Sequence, residues 1–307
     1  MTAPVAVTSR LLDVREGTAV VVTELTGAAD GPTVVVLGGV HGDELEGILA
    51  VRRLVNELRL AAGRVLAVAV ANPPAHAAAS RTGPVDGGNL ARAFPGRADG
   101  SVTERIADAL TRHVIVGADL LIDLHSAGEN YAMPFFAGFC EPSGSAAAYA
   151  FGAPLVWEHD RVNPGRSLTA AAEHGVAAIY VEGSGGAALR RSEVDGYTHG
   201  VIRVLGHLGM VTDPPAPARV LRVVRGGDGD VDSSVSAEVA GWCVTAVDAG
   251  DVVDAGALVA EVVDTTGRVV QPVRAPKAGT VMMLRRRAVV EPGTGIVMFG
   301  PVPRELS

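Results

Sequence analysis

From about residue 33 to 208, short continuous runs of Val, Ile, Leu and Ala alternate with helically periodic stretches, and this alternation limits the fold more than any other feature. Residues 34–37 precede a stretch over 43–60 in which Leu45, Ile48, Leu49, Leu54 and Leu58 form an approximately helical apolar stripe. Residues 65–71 then read as a strand, 102–116 as a helix, 120–124 as a strand, 168–174 as a helix, 177–181 as a strand and 192–208 as a closing helix. A strand that is apolar at nearly every position has both faces buried. The expected fold is therefore α/β, with a mainly parallel mixed sheet carrying helices on both faces.

In such sheets ligands bind beyond the carboxyl ends of the strands. His41, Asn72, His125 and Glu182 all lie just past the ends of expected strands, so one crevice can collect all four. Gly38-Gly39-Val40-His41-Gly42-Asp43-Glu44 offers an imidazole and a carboxylate three residues apart on one turn, and Asp123-Leu124-His125 ends a second buried strand. Two neutral imidazoles and a carboxylate suit zinc, and three protein ligands leave a position for water, as catalytic sites require. The alternative is a helix start in which His41 caps and Glu44 favours the first turn through the helix dipole.

Asp123 is either an acceptor that orients His125 or a solvated strand residue. Glu182, before Gly183-Ser184-Gly185-Gly186, is either a proton carrier beside a metal or a cap or ion-pair residue. Arg81 and Arg92 flank a Gly- and Pro-rich loop that includes Asn89. They read as solvated surface, or as a fork for a substrate carboxylate and a cation for a developing oxyanion. His76, His113, His159, His174, His199 and His207 lack metal-like spacing and read as surface or helix residues.

Composition closes off other classes. The chain has 307 residues, of which 48% are hydrophobic and 20% charged, enough for a large core and a second, smaller one. A net charge of −8, with no basic block, argues against nucleic acid as a partner. No apolar run approaches the roughly 18 residues that span a bilayer, and the N-terminus has no signal-like pattern, so a cytoplasmic protein without membrane contacts is expected. Cys140 and Cys243 stand alone, excluding a cysteine-built cluster or a disulfide framework, and read as small buried apolar groups. Lys277 is the single lysine among 26 basic residues.

Pro214-Pro215-Ala216-Pro217 breaks the helical pattern as a linker would, and from about 220 to 300 the chain turns to short Val-rich strands with no convincing helix. Two domains are expected, at 1–213 and 214–307.

Four motifs, in order, resemble the succinylglutamate desuccinylase and aspartoacylase family, relatives of zinc carboxypeptidases. They are Gly38-Gly39-Val40-His41-Gly42-Asp43-Glu44, Asn89-Leu90-Ala91-Arg92-Ala93-Phe94-Pro95-Gly96, Asp123-Leu124-His125 and Val181-Glu182. The resemblance covers about residues 30–208 and implies a carboxypeptidase-like fold. It also implies one zinc ion per chain held by His41, Glu44 and His125, with Glu182 as general base and acid and Arg81 polarising the scissile carbonyl. Arg92 would hold a substrate carboxylate. Asn89, on the same loop, and Asn72, at its strand end, are expected as further substrate contacts. Where the family often has Asn-Leu-Asn-Arg, this chain has Asn89-Leu90-Ala91-Arg92 and lacks the second amide. Gly165-Arg166-Ser167-Leu168-Thr169-Ala170-Ala171 is similar to branches acting on N-acetylated diamino acids.

The C-terminal region resembles a biotinyl or lipoyl barrel-sandwich. In carriers the modified lysine sits at a hairpin tip, which here corresponds to Asp264-Thr265-Thr266-Gly267, with Lys277 expected in the later strand. A carrier function is therefore not expected. The reading is a zinc-dependent amidohydrolase acting on a small N-acyl amino acid, with room for a homo-oligomer. The alternatives are a zinc metallocarboxypeptidase on short peptides and a non-catalytic binding protein on a hydrolase scaffold.

Overall fold

The computed structural model describes residues 6–14, 17–227 and 229–306. A ten-stranded mixed sheet forms the larger part of the protein. At its centre Ala62–Val68, Ala29–Gly38, Leu120–Leu124 and Ala177–Glu182 lie side by side and parallel. Their side chains alternate between two cores. Val34, Val36, Ile122 and Leu124 meet the helices Leu45–Glu57 and Arg191–His207 on one face. Val35, Leu37 and Leu121 meet Val102–Leu110 and Ser167–Glu173 on the other. Burial on both faces explains why these strands are apolar at consecutive positions.

The sheet is less parallel than its centre. A hairpin of Ala6–Asp13 and Ala19–Thr26 adds antiparallel strands at one side, and Phe136–Phe139 runs antiparallel to Ala177–Glu182. After the proline-rich segment the chain returns twice to this sheet, through Arg222–Arg225 and Arg304–Glu305. Between those two strands it builds antiparallel sheets with a separate core around Val259, Val262, Val281 and Ile296. Met282, Met283 and Met298 pack against Phe136, Leu155 and Trp157, and Gly279–Arg285 pairs with Tyr131–Ala132, so the two parts share an apolar seam.

Lys277 lies in an exposed turn between Val269–Arg274 and Gly279–Arg285, not in a strand as the sequence suggested. The 264–267 hairpin tip carries threonines, so that tip offers no amine for a carrier group. Among the described residues no helix is long and apolar enough to cross a membrane.

Candidate metal and deacylation site

Register brings the candidate residues together. Gly38 pairs with Leu124, and Leu124 with Val181, so the chain leaves three neighbouring strands at one level, just before His41, His125 and Glu182. The turn that carries His41 needs its glycines. Gly39 has φ +63, and a Cβ on Gly42 would lie 2.1 Å from the carbonyl carbon of Ala75. That close approach seats the turn on the short helix Pro73–Ala77.

His41, Glu44 and His125 converge with their ligand atoms all within 4.8 Å of one another. His41 Nδ1 is 2.7 Å from Glu44 Oε1, and His125 Nδ1 is 3.0 Å from Glu44 Oε2. The far side of each ring is already engaged. Asn89 Oδ1 accepts from the Ala91 amide at 3.0 Å, which fixes its orientation, and His41 Nε2 donates to the same oxygen at 3.1 Å. That tautomer leaves the His41 Nδ1 lone pair facing the Glu44 carboxylate, an arrangement that a cation relieves. Here the cation is Arg81, whose NH1 lies 3.2 Å from His41 Nδ1 and 3.1 Å from Glu44 Oε1. His125 Nε2 is 3.1 Å from Asp123 Oδ2, the hydrogen bond to a carboxylate that metal-ligating imidazoles usually make. The donor set fits a divalent metal such as zinc, which His41, Glu44 and His125 would hold.

The charges are tuned by burial and by each other. Burial pushes the His41 imidazole down to about 4, so it is neutral near pH 7. Burial also disfavours charge on Glu44 and His125, but here their partners win. The two imidazoles hold the Glu44 carboxyl well below its ordinary range, and Asp123 with Glu44 holds the His125 imidazole well above it.

Glu182 ends its strand beside this group. Burial, with the Glu44 and Asp123 carboxylates, pushes its carboxyl up to about 8 against the opposing pull of His125 and Arg81. Its Oε2 is enclosed and makes no hydrogen bond among the described residues. Arg81, Arg92, His41, His125 and Glu182 line one cavity of about 90 Å³.

Three other placements matter. Asn89 is used by His41 and the Ala91 amide. Asn72, expected to contact substrate, is 1% exposed; it accepts from the Ala75 amide and donates to the Val40 carbonyl beneath the turn, off the cavity wall. Asp123 is buried and oriented by the Ser167 hydroxyl, not solvated.

Sequence reasoning missed two wall residues. His159 is 5% exposed, with Nε2 2.6 Å from the Tyr180 hydroxyl, instead of lying at the surface. Arg166 donates to the Ala91 carbonyl at 2.9 Å and to Asp230 Oδ1 at 3.0 Å. Arg166 stands in the Gly165–Ala171 run that carries the diamino-acid resemblance, where no separate role was read for it. Cys140, expected to be buried, is partly exposed on the cavity wall, where burial still pushes its thiol up to about 12.

The crevice lies at the carboxyl ends of the central parallel strands, is bordered by separate antiparallel sheets and holds the His-Glu-His group beside an enclosed carboxylate. The succinylglutamate desuccinylase/aspartoacylase catalytic domain matches residues 30–208, and the chain belongs to that family. It is 35% identical over 297 residues to the N-alpha-acetyl-L-2,4-diaminobutyric acid deacetylase of Halomonas elongata, covering 90% of this chain and 84% of that protein. The product-bound structure of the ectoine utilization protein EutE from Ruegeria pomeroyi superposes with a TM-score of 0.86 at 30% identity, covering 96% of this chain and 95% of that one. A succinylglutamate desuccinylase from Silicibacter sp. TM1040 has a TM-score of 0.87 at 29% identity, covering 98% and 95%.

Proposed function

We propose that this chain is a zinc-dependent deacylase that releases the acyl group from a small N-acyl amino acid, and that its substrate is an Nα-acyl diamino acid. The observation that carries the reading is the enclosed, unpartnered Glu182 oxygen in the same cavity as the His41, Glu44 and His125 group. Similarity to the Halomonas elongata deacetylase supports the choice of substrate.

Zinc bound by these three groups supplies a Lewis acid and lowers the pKa of a water toward about 7. Glu182 takes a proton from the attacking water and later gives it to the leaving amine. A carboxyl group in an enclosed site, with a pKa about 8 before the cation adds its pull, is suited to both tasks. Arg81, on the cavity wall beside His41 and Glu44, would stabilise charge developing on the amide oxygen. Asn89 and Asp123 hold the two imidazoles in the ligating tautomer. Arg92 and Arg166 are the candidates for the substrate carboxylate. We further assign residues 1–213 to the catalytic unit and 214–307 to a second unit, which lends Arg222–Arg225 and Arg304–Glu305 to the catalytic sheet and otherwise forms a barrel-sandwich-like β unit beside the cleft.

The test is a panel of acetyl, succinyl and formyl amides of amino and diamino acids, with short peptides alongside, assayed with zinc-loaded protein. Release of acetate from an Nα-acetyl diamino acid is expected to lead the panel. Preference for a short peptide would instead make the chain a carboxypeptidase.

A further inference from the structure

The turn Val231–Ser233 reaches from the β unit into the cleft and carries an acidic residue on each side of Val231. Asp232 Oδ2 accepts from Arg92 Nε at 3.1 Å and from Arg92 NH2 at 3.0 Å. Asp230 Oδ1 accepts from Arg166 NH2 at 3.0 Å and lies 3.6 Å from Arg92 NH2. The remaining edge of Arg92 is held at 3.1 Å by the Ala91 carbonyl. The Nε and NH2 edge of Arg92, which would fork a substrate carboxylate, is therefore occupied by the chain's own carboxylate.

The same turn divides the cleft. Val231, Arg81 and Glu182 line both the 90 Å³ cavity with Arg92 and Arg166 and a larger one of about 400 Å³. Asp232 lines the larger one. Its side chain is 68% exposed, so its pair with Arg92 is weak and exchangeable.

Resting on the deacylase reading above, we infer that Asp232 is a specificity-determining residue that exchanges ion pairs with substrate. The substrate carboxylate takes the Arg92 edge, and the freed Asp232 carboxylate receives the substrate's side-chain ammonium. Two guanidinium groups and two carboxylates make a neutral quartet. An N-acyl monoamino acid brings only a negative charge, so it strands Asp232 without a cation. An Nα-acyl diamino acid brings both charges and leaves neither Arg92 nor Asp232 unpaired. Selectivity thus follows from charge balance in a cleft to which the β unit contributes one member of each pair.

The experiment compares wild type with Asp232→Asn, and with Asp232→Ser as a second exposed substitution, on Nα-acetyl-2,4-diaminobutyrate and on Nα-acetyl-2-aminobutyrate, which lacks the amine. Wild type is expected to favour the diamino substrate. Both variants should lose about 3- to 10-fold of that preference, the range two exposed ion pairs allow, through KM with kcat little changed. Asp232→Glu should recover part of it. An unchanged ratio between the substrates, or an equal loss on both, overturns the inference. Wild-type inactivity on both substrates would instead overturn the deacylase reading and the inference with it.

Discussion

Replacing Asp123 by Asn removes a charge from behind His125 while keeping the shape of the side chain. His125 lies between two carboxylates, 3.1 Å from Asp123 and 3.0 Å from Glu44. Together they outweigh burial and raise its pKa well above 6.5. That charge contributes stability that is complete below pH 6.5 and is lost as pH rises through the folded value. Zinc must displace the Nδ1 proton, whereas His41, lowered to about 4, has none to give at pH 7. Glu182, near 8, is mostly protonated at that pH and ionises when a cation arrives. Wild type should therefore release protons on binding zinc at pH 7, and its affinity should climb with pH. Asp123→Asn removes the first of the two carboxylates that raise His125, so the release should fall. Loss of the orienting carboxylate should weaken zinc binding about 10- to 100-fold, about 1.4–2.7 kcal/mol. Calorimetry in buffers of different ionisation heat reads the protons, and chelator competition reads the affinity. If Asp123→Asn keeps both values, the tautomer argument for the site is wrong.

Glu182→Gln should retain zinc while slowing deacylation about 10²- to 10⁴-fold, read by product release alongside metal content. Gly42→Ala places a Cβ 2.1 Å from backbone on the helix beneath the turn, so a loss of about 1–3 kcal/mol and weaker metal binding are expected from thermal melts and chelator titration. Asn72→Ala removes a helix cap and should cost about 1 kcal/mol with KM unchanged, because Asn72 supports the turn from below; a raised KM would make it a substrate contact.

Much of the core was legible because its strands advertise two-sided burial. Residues 120–124 were read to the residue, and 177–181 to within one. The first hairpin was missed because most of Ala6–Asp13 faces solvent, and Phe136–Phe139 and Leu155–Glu158 are too short to show a period. Each takes its identity from the neighbour it pairs with. The helix expected over 102–116 ends as α-helix at Leu110 and finishes as a π turn through Ile115, which apolar spacing does not distinguish.

In the site, the convergence of His41, Glu44 and His125 was legible because two imidazoles and a carboxylate at strand ends carry the residue types and spacing that a metal site would need. Arg166, His159 and Asp232 were not. Arg92 meets Asp232 across 140 residues of sequence, and nothing local to either residue records that contact. The Asn72 expectation followed from its strand-end position alone, and the nearby proline helix claims its side chain instead.

The most direct measurement strips the protein with chelator and titrates zinc back while following acetate release from Nα-acetyl-2,4-diaminobutyrate. Activity should vanish on stripping and return in full at one zinc per chain, with no such return in His41→Ala or His125→Ala. Full activity in the stripped protein, or none at any zinc level, would contradict a zinc-dependent deacylase built on His41, Glu44 and His125.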